Sequence, residues 1–186
     1  LDRLQGIADA WLLHDRDIVA RCDDSVVRMC APWSPQGGDH PPRGARELGA
    51  ARRSLSATGA PQFIRRARGY TPRPIKLPRA GPSVLATGAW LKNTVCITRG
   101  DEAFLSAHVG DLDNAATCGA LVEMVDHLCA VLDVQPQAVA HDLHPDFHST
   151  HLAHALAQQL GVPALAVQHH HAHIAVAVAE HGLAAP

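Results

Sequence analysis

From Ser83 onward the sequence predicts an α/β fold with elements in the order β-β-β-α-β-α-β-α, and three observations carry that prediction. Three short apolar runs lie close together and read as strands that can pair antiparallel. Helical patterns then alternate with two further buried strands, and helical crossovers of that kind join strands in parallel. Both later strands end in polar, histidine-bearing clusters, and open α/β sheets build their sites at the carboxyl ends of strands.

The elements follow in order. Residues 84–89, 93–99 and 103–109 read as the first three strands, with Gly100-Asp101 as a hairpin-type turn between the last two. Residues 114–132 read as a helix because Leu121, Val125, Leu128 and Leu132 recur on one face. Residues 138–142, Ala-Val-Ala-His-Asp, read as a buried strand. Residues 149–160 form a helix stopped by Gly161, followed by a strand over 164–168 and a helix over 170–181.

The first 79 residues read as a partial α+β segment. Residues 10–14 and 18–21 are apolar around Asp15-Arg16 and suggest a hairpin, and Asp23-Asp24-Ser25 leads into a strand at Val26-Val27-Arg28. Residues 31–61 mix Pro and Gly with several Arg, reading as a flexible loop or insertion with a short helix near 44–56. Residues 62–79 read as a basic strand and then a Pro-rich extended linker, since Pro72, Pro74 and Pro78 exclude a helix.

The charge is asymmetric. All 16 Lys and Arg lie in residues 1–100 with 8 of the acids, whereas residues 101–186 hold the other 10 acids and no Lys or Arg. Such a split suggests two functional regions, the first suited to an anionic ligand. The 5 cysteines contain no C-x-x-C pair, which argues against a disulfide framework and for a reducing, cytoplasmic setting. No apolar stretch is expected to span a bilayer, so no membrane partner is expected. The N-terminus has no basic region followed by a long apolar core, as a signal peptide would. It also lacks an initiating Met, and the sequence reads as a portion of something longer.

The densest chemistry is Gln168-His-His-His-Ala-His173. On a helix, His169 and His173 stand one turn apart on one face, and two imidazoles so placed can share a metal ion, Fe or Zn. The alternative is a helix start with solvated rings. A third ligand, expected to be a carboxylate, has no obvious candidate after residue 173. His170, Asp142 and His144 are candidates to orient the ligating rings from behind. For Asp142 and His144 the competing reading is a helix cap and a loop histidine. His148, His151 and His154 read as a polar helix face. Arg65, Arg66 and Arg68, with Tyr70, suit phosphate or carboxylate binding, against the alternatives of unspecific RNA attraction or a solvated strand. Asp23 and Ser25 sit in a turn that can hold an acyl-adenylate or simply cap.

These residues converge on a family. Arg65-Arg-Ala-Arg-Gly-Tyr-Thr-Pro-Arg-Pro-Ile75, Leu91-Lys-Asn-Thr-Val-Cys96, Thr98-Arg-Gly-Asp-Glu-Ala-Phe-Leu-Ser106, His108-Val-Gly-Asp-Leu-Asp-Asn114, Ala140-His-Asp-Leu-His-Pro-Asp146 and Val167-Gln-His-His-His-Ala-His-Ile174 closely resemble the hydrogenase-maturation carbamoyltransferases, HypF. Residues 8–28 resemble the end of that family's YrdC-like domain. The resemblance implies two units: residues 1–79 as the C-terminal piece of the YrdC-like domain, and 80–186 as the first half of a Kae-type domain. The latter has the actin-like ATPase, or ribonuclease H-like, fold. It also implies a relay from carbamoyl phosphate through an ATP-derived carbamoyl-adenylate to the C-terminal cysteine of the partner HypE. His169 and His173 match the family's metal-binding histidines. Asp23, Ser25, Arg65, Arg66 and Arg68 match its adenylate side, and Lys92-Asn93 occupies a hairpin that faces nucleotide phosphates in actin-like folds. Two alternatives remain: a tRNA-threonylcarbamoylation relative binding nucleic acid through residues 62–79, and a remnant without catalysis.

Overall fold

The structure, a computed structural model, describes residues 5–13, 15–29 and 61–181. The expected insertion, with its short helix near 44–56, lies outside the described residues apart from Pro61.

Strands β1 (Val26–Met29) and β2 (Pro61–Arg65) pair antiparallel, with Val27 opposite Phe63 and Met29 opposite Pro61. The hairpin expected over 10–21 does not form, since residues 5–13 and 15–25 carry no strand. Leu12, Leu13, Ile18 and Val19 are all exposed, and a two-stranded ribbon with no layer to bury its apolar face is marginal in water.

Five strands make the main sheet. Its order is β3 (Pro74–Gly81), β5 (Cys96–Leu105), β4 (Val84–Ala86), β6 (Ala138–Asp142) and β7 (Ala164–Val167). β5 pairs antiparallel with both β3 and β4, whereas β4–β6 and β6–β7 are parallel. The α/β class and the mixed sheet agree with the sequence. The Pro-rich stretch, however, is not a linker: residues from Pro74 onward join the sheet as an edge strand, with Pro74 at its start and Pro78 where the register shifts, places where prolines are tolerated.

The expected second and third strands are the two arms of β5. Extended over its length, β5 would hold its ends about 30 Å apart at ~3.3 Å per residue. Instead, the Ser106 N–H donates to the Val95 carbonyl at 2.8 Å, so the chain reverses between them. Gly100, with φ of 61°, makes the reversal. The first expected strand stops short at Ala86 because Gly88 turns the chain at φ of 73°. A Cβ on Gly88 would stand 2.7 Å from the Thr94 carbonyl oxygen and 2.8 Å from Asn93 Nδ2, so only glycine fits.

Helix α1 (Ala115–Leu132) begins at Asn114, whose side chain accepts from the N–H groups of Ala116 and Thr117. It buries the expected Leu121, Val125, Leu128 and Leu132 against Leu85, Val95, Ile97, Phe104 and Val139. Arg99 donates to the Leu132 carbonyl at 3.0 Å, placing a cation at the helix C-terminus. By length and composition alone α1 reaches what a membrane crossing requires, contrary to the expectation that no stretch does. Its leucine face nevertheless lies in the sheet's core. Residues 18–23 run beside α1, where Arg21 pairs with Glu123 at 3.4 Å.

Helix α2 (His148–Leu160) starts one residue earlier than predicted and ends at Gly161, φ 67°. Its buried residues are small, Ser149, Thr150, Ala153 and Ala157, and this lets it approach β6 closely. Helix α3 (His169–His181) follows β7 directly.

Candidate metal centre

Because β4, β6 and β7 are parallel neighbours, the segments after their carboxyl ends lie side by side. These segments carry Thr87–Lys92, Asp142–Phe147 and the histidines of α3, so the fold gathers two of the polar clusters at one sheet end.

Asp142 is the last residue of β6, and its side chain is only 9% exposed. One carboxylate oxygen accepts the His144 backbone N–H at 2.9 Å, and the other faces His169 Nδ1 at 2.7 Å. Burial pushes the Asp142 carboxyl up. The His144 N–H, the His169 hydrogen bond and the charge of both imidazoles together outweigh burial and hold it below the usual carboxylate value. A carboxylate only accepts, so His169 Nδ1 carries the proton, and in the neutral ring the lone pair belongs to Nε2. That Nε2 faces Nε2 of His173 at 3.2 Å. Two nitrogens bound at roughly 2.0–2.1 Å to a tetrahedral ion stand about 3.3 Å apart, so the spacing of the pair suits a shared cation.

Among the described residues no group of three or more His, Cys, Asp or Glu side chains converges as a ligand set. Asp142 lies behind His169, on the ring nitrogen remote from His173, and is not a third ligand of the pair. His170 makes an edge contact with His169 at 6.2 Å between ring centres and is exposed, as is His171. His144 stacks flat on Phe147 at 4.2 Å, and Phe147 meets Trp90 edge-on. His148, His151 and His154 are exposed, as a polar helix face requires.

Lys92 and Asn93 divide in role. Lys92 is exposed, with φ of 50°, and its backbone N–H donates to Asp111. Asn93 is buried, and its amide nitrogen donates to the carbonyls of Thr87 at 2.8 Å and Ala89 at 2.6 Å. It therefore staples the loop that follows β4.

The adenylate candidates assemble beside the smaller sheet. Ser25 Oγ accepts the Ala67 N–H at 2.9 Å and donates to the Arg68 carbonyl at 2.9 Å. Arg65 pairs with Asp23, and Arg68 approaches Asp24 at 3.6 Å. Arg66 donates to the Arg73 carbonyl, and burial with the nearby Arg73 charge lowers its pKa. Asp23, Ser25 and the arginines, some 40 positions apart in sequence, thus form one cluster.

Sequence reasoning missed Thr150. Its hydroxyl, 3% exposed as a residue, reaches the Asp142 carbonyl at 3.1 Å and the His144 carbonyl at 2.9 Å. The only signal was a Ser-Thr pair in the first turn of a helix that follows the histidine-bearing loop.

The mixed sheet with helical crossovers is an α/β unit of the actin-like, ribonuclease H-like kind, with a histidine pair at its strand ends. Residues 79–180 match the sequence model described as the HypF Kae1-like domain, and the chain belongs to the HypF family. It is 63% identical over 182 residues to carbamoyltransferase HypF2 of Cupriavidus necator, covering 97% of this chain and 19% of that protein. It is 47% identical to carbamoyltransferase HypF of Rhizobium leguminosarum bv. viciae, covering 99% of this chain and 20% of that protein. A crystal structure of full-length HypF in the phosphate- and nucleotide-bound form superimposes with TM-score 0.75 at 40% identity, covering 98% of this chain and 24% of that one. The chain thus spans about a fifth of the length of its curated relatives.

Proposed function

We propose that the chain forms part of an ATP-dependent carbamoyltransferase of hydrogenase maturation, acting in the cytoplasm. In this reading, carbamoyl phosphate is hydrolysed to carbamate and phosphate. Carbamate and ATP give carbamoyl-adenylate and pyrophosphate. The thiol of the C-terminal cysteine of HypE then displaces AMP, giving a thiocarbamate that becomes a cyanide ligand of the [NiFe] centre. Asp23, Ser25, Arg65, Arg66 and Arg68 belong to the adenylate side, at the end of a YrdC-like domain. In this reading the change of unit falls at residues 79–80, within β3. Lys92 offers a cation to phosphates, and Asn93 holds its loop in shape.

The observation that carries the metal assignment is the pair of Nε2 atoms at 3.2 Å, with the rear nitrogen of one ring on a carboxylate. Fe or Zn fits this nitrogen pair. When bound, such an ion supplies Lewis-acid polarisation of an oxygen in the transferring group. The side chains hold the two nitrogens toward one point and keep the His169 proton on Nδ1. Among the described residues no third ligand converges on the pair.

Replacement His169→Ala in the intact protein should abolish metal binding and transfer while sparing adenylation. Normal metal content in that variant would sink the assignment. The nucleic-acid reading draws less support, because Arg65 and Arg68 face Asp23 and Asp24, and Lys76 pairs with Asp101 and Glu102.

A further inference from the structure

We infer that Asp142 and Thr150 are positioning residues that preset His169 for a metal. The inference rests on reading His169 and His173 as ligands, and it names what aims one of them. His169 is half-exposed on the first turn of α3, so little packing fixes its ring. What fixes it is the 2.7 Å contact of Nδ1 with Asp142. That contact selects the tautomer: the proton stays on Nδ1, and Nε2 keeps its lone pair toward His173.

Asp142 can do this only if its own carboxylate is immobile. Both of its oxygens are engaged, one by His169 and the other by the His144 N–H at 2.9 Å. The turn from Asp142 to His144 is in turn tied to α2. The single hydroxyl proton of Thr150 is shared between the carbonyl oxygens of Asp142 and His144. Thr150 is buried in the first turn of α2, which packs on β6. The first helix turn of α2 thereby sets the geometry of a ring on α3, two elements later. A methyl group in place of the hydroxyl leaves both carbonyls without that donor while keeping the side-chain shape. Thr150→Val therefore isolates the hydrogen bonds from the packing, and Thr150→Ser restores the hydroxyl.

The test is zinc titration of the intact protein against a chromophoric chelator, with thermal unfolding of the metal-free protein recorded in parallel. Asp142→Ala should weaken zinc binding about 10–100-fold. Thr150→Val should weaken it less, and Thr150→Ser should recover it. A role confined to stability would lower the unfolding temperature and leave zinc affinity unchanged, and that result overturns the proposal. Zinc binding lost in His169→Ala but intact in Asp142→Ala and Thr150→Val also overturns it while leaving the ligand reading standing. Unaltered binding in His169→Ala removes the ligand reading itself. If Asp142→Ala does not fold, the ring nitrogens of the unsubstituted metal-free protein decide by ¹⁵N NMR. The Nδ1-protonated tautomer at His169 supports the proposal, and the Nε2-protonated one overturns it.

Discussion

Helices α2 and α3 have the same length, 13 residues, and each follows a parallel strand, yet they are held differently. α2 sets four small residues against β6 and contributes Ala153 and Ala157 to the core. α3 leaves Ile174 and Val176 about two-thirds exposed, and Leu165 of the strand before it is open as well. The dense half of the molecule, from β4 to α2, fixes one side of the candidate metal centre through packing. The open half, β7 and α3, carries the ligating rings and depends on polar contacts to aim them. A site divided in this way has a rigid wall and a compliant one, and the Asp142–His169 contact is the seam between them.

Several substitutions would break or sharpen that contrast. The largest loss is expected in the dense half: Leu121→Ala, fully buried on α1, should cost about 2–5 kcal/mol by urea denaturation. Gly88→Ala should cost about 1–3 kcal/mol, because it adds a Cβ to a left-handed residue 2.7 Å from a carbonyl oxygen. A measured loss below ~0.5 kcal/mol there would mean that the loop after β4 is free to relax. Cys96 gives a pH signature of the same half. Burial pushes its thiol from 9.0 up to about 11. A raised value means that the folded state holds the proton more tightly, so this contribution is complete below pH 9 and is lost as pH climbs toward 11. At pH 8.5 a thiol reagent should modify exposed Cys22 readily and Cys96 only on unfolding, as read by peptide mass mapping. The smallest effect belongs to the open half: Ile174→Ala should change stability by no more than about 0.5 kcal/mol. A loss comparable to that of Leu121→Ala would erase the distinction.

The dense half was also the legible half. The face formed by Leu121, Val125, Leu128 and Leu132 follows from helical periodicity and is buried as expected, and the helix limits move by a residue at most. Periodicity reports burial, so it reads best where burial is complete. It misled at residues 10–21, whose large apolar side chains stay exposed, and at 74–81, where prolines mask an edge strand. The histidine pair was legible from its spacing, because one helix turn sets it. The Asp142–His169 contact spans 27 positions and arises only from strand order, and the same holds for the bridge from Thr150 to Asp142. Asn93 shows a role that spacing does not report. An amide next to a lysine suggests ligand binding, but its nitrogen is used within the loop.

The prolines of β3 have one more effect. An unpaired sheet edge offers a row of donors and acceptors to any extended chain that meets it, the usual start of unwanted association. Pro74 and Pro78 have no N–H to offer, which leaves the edge strand β3 with fewer donors, and at the other rim β7 is only four residues long. Among the described residues the sheet thus ends in two rims that offer little to a further strand.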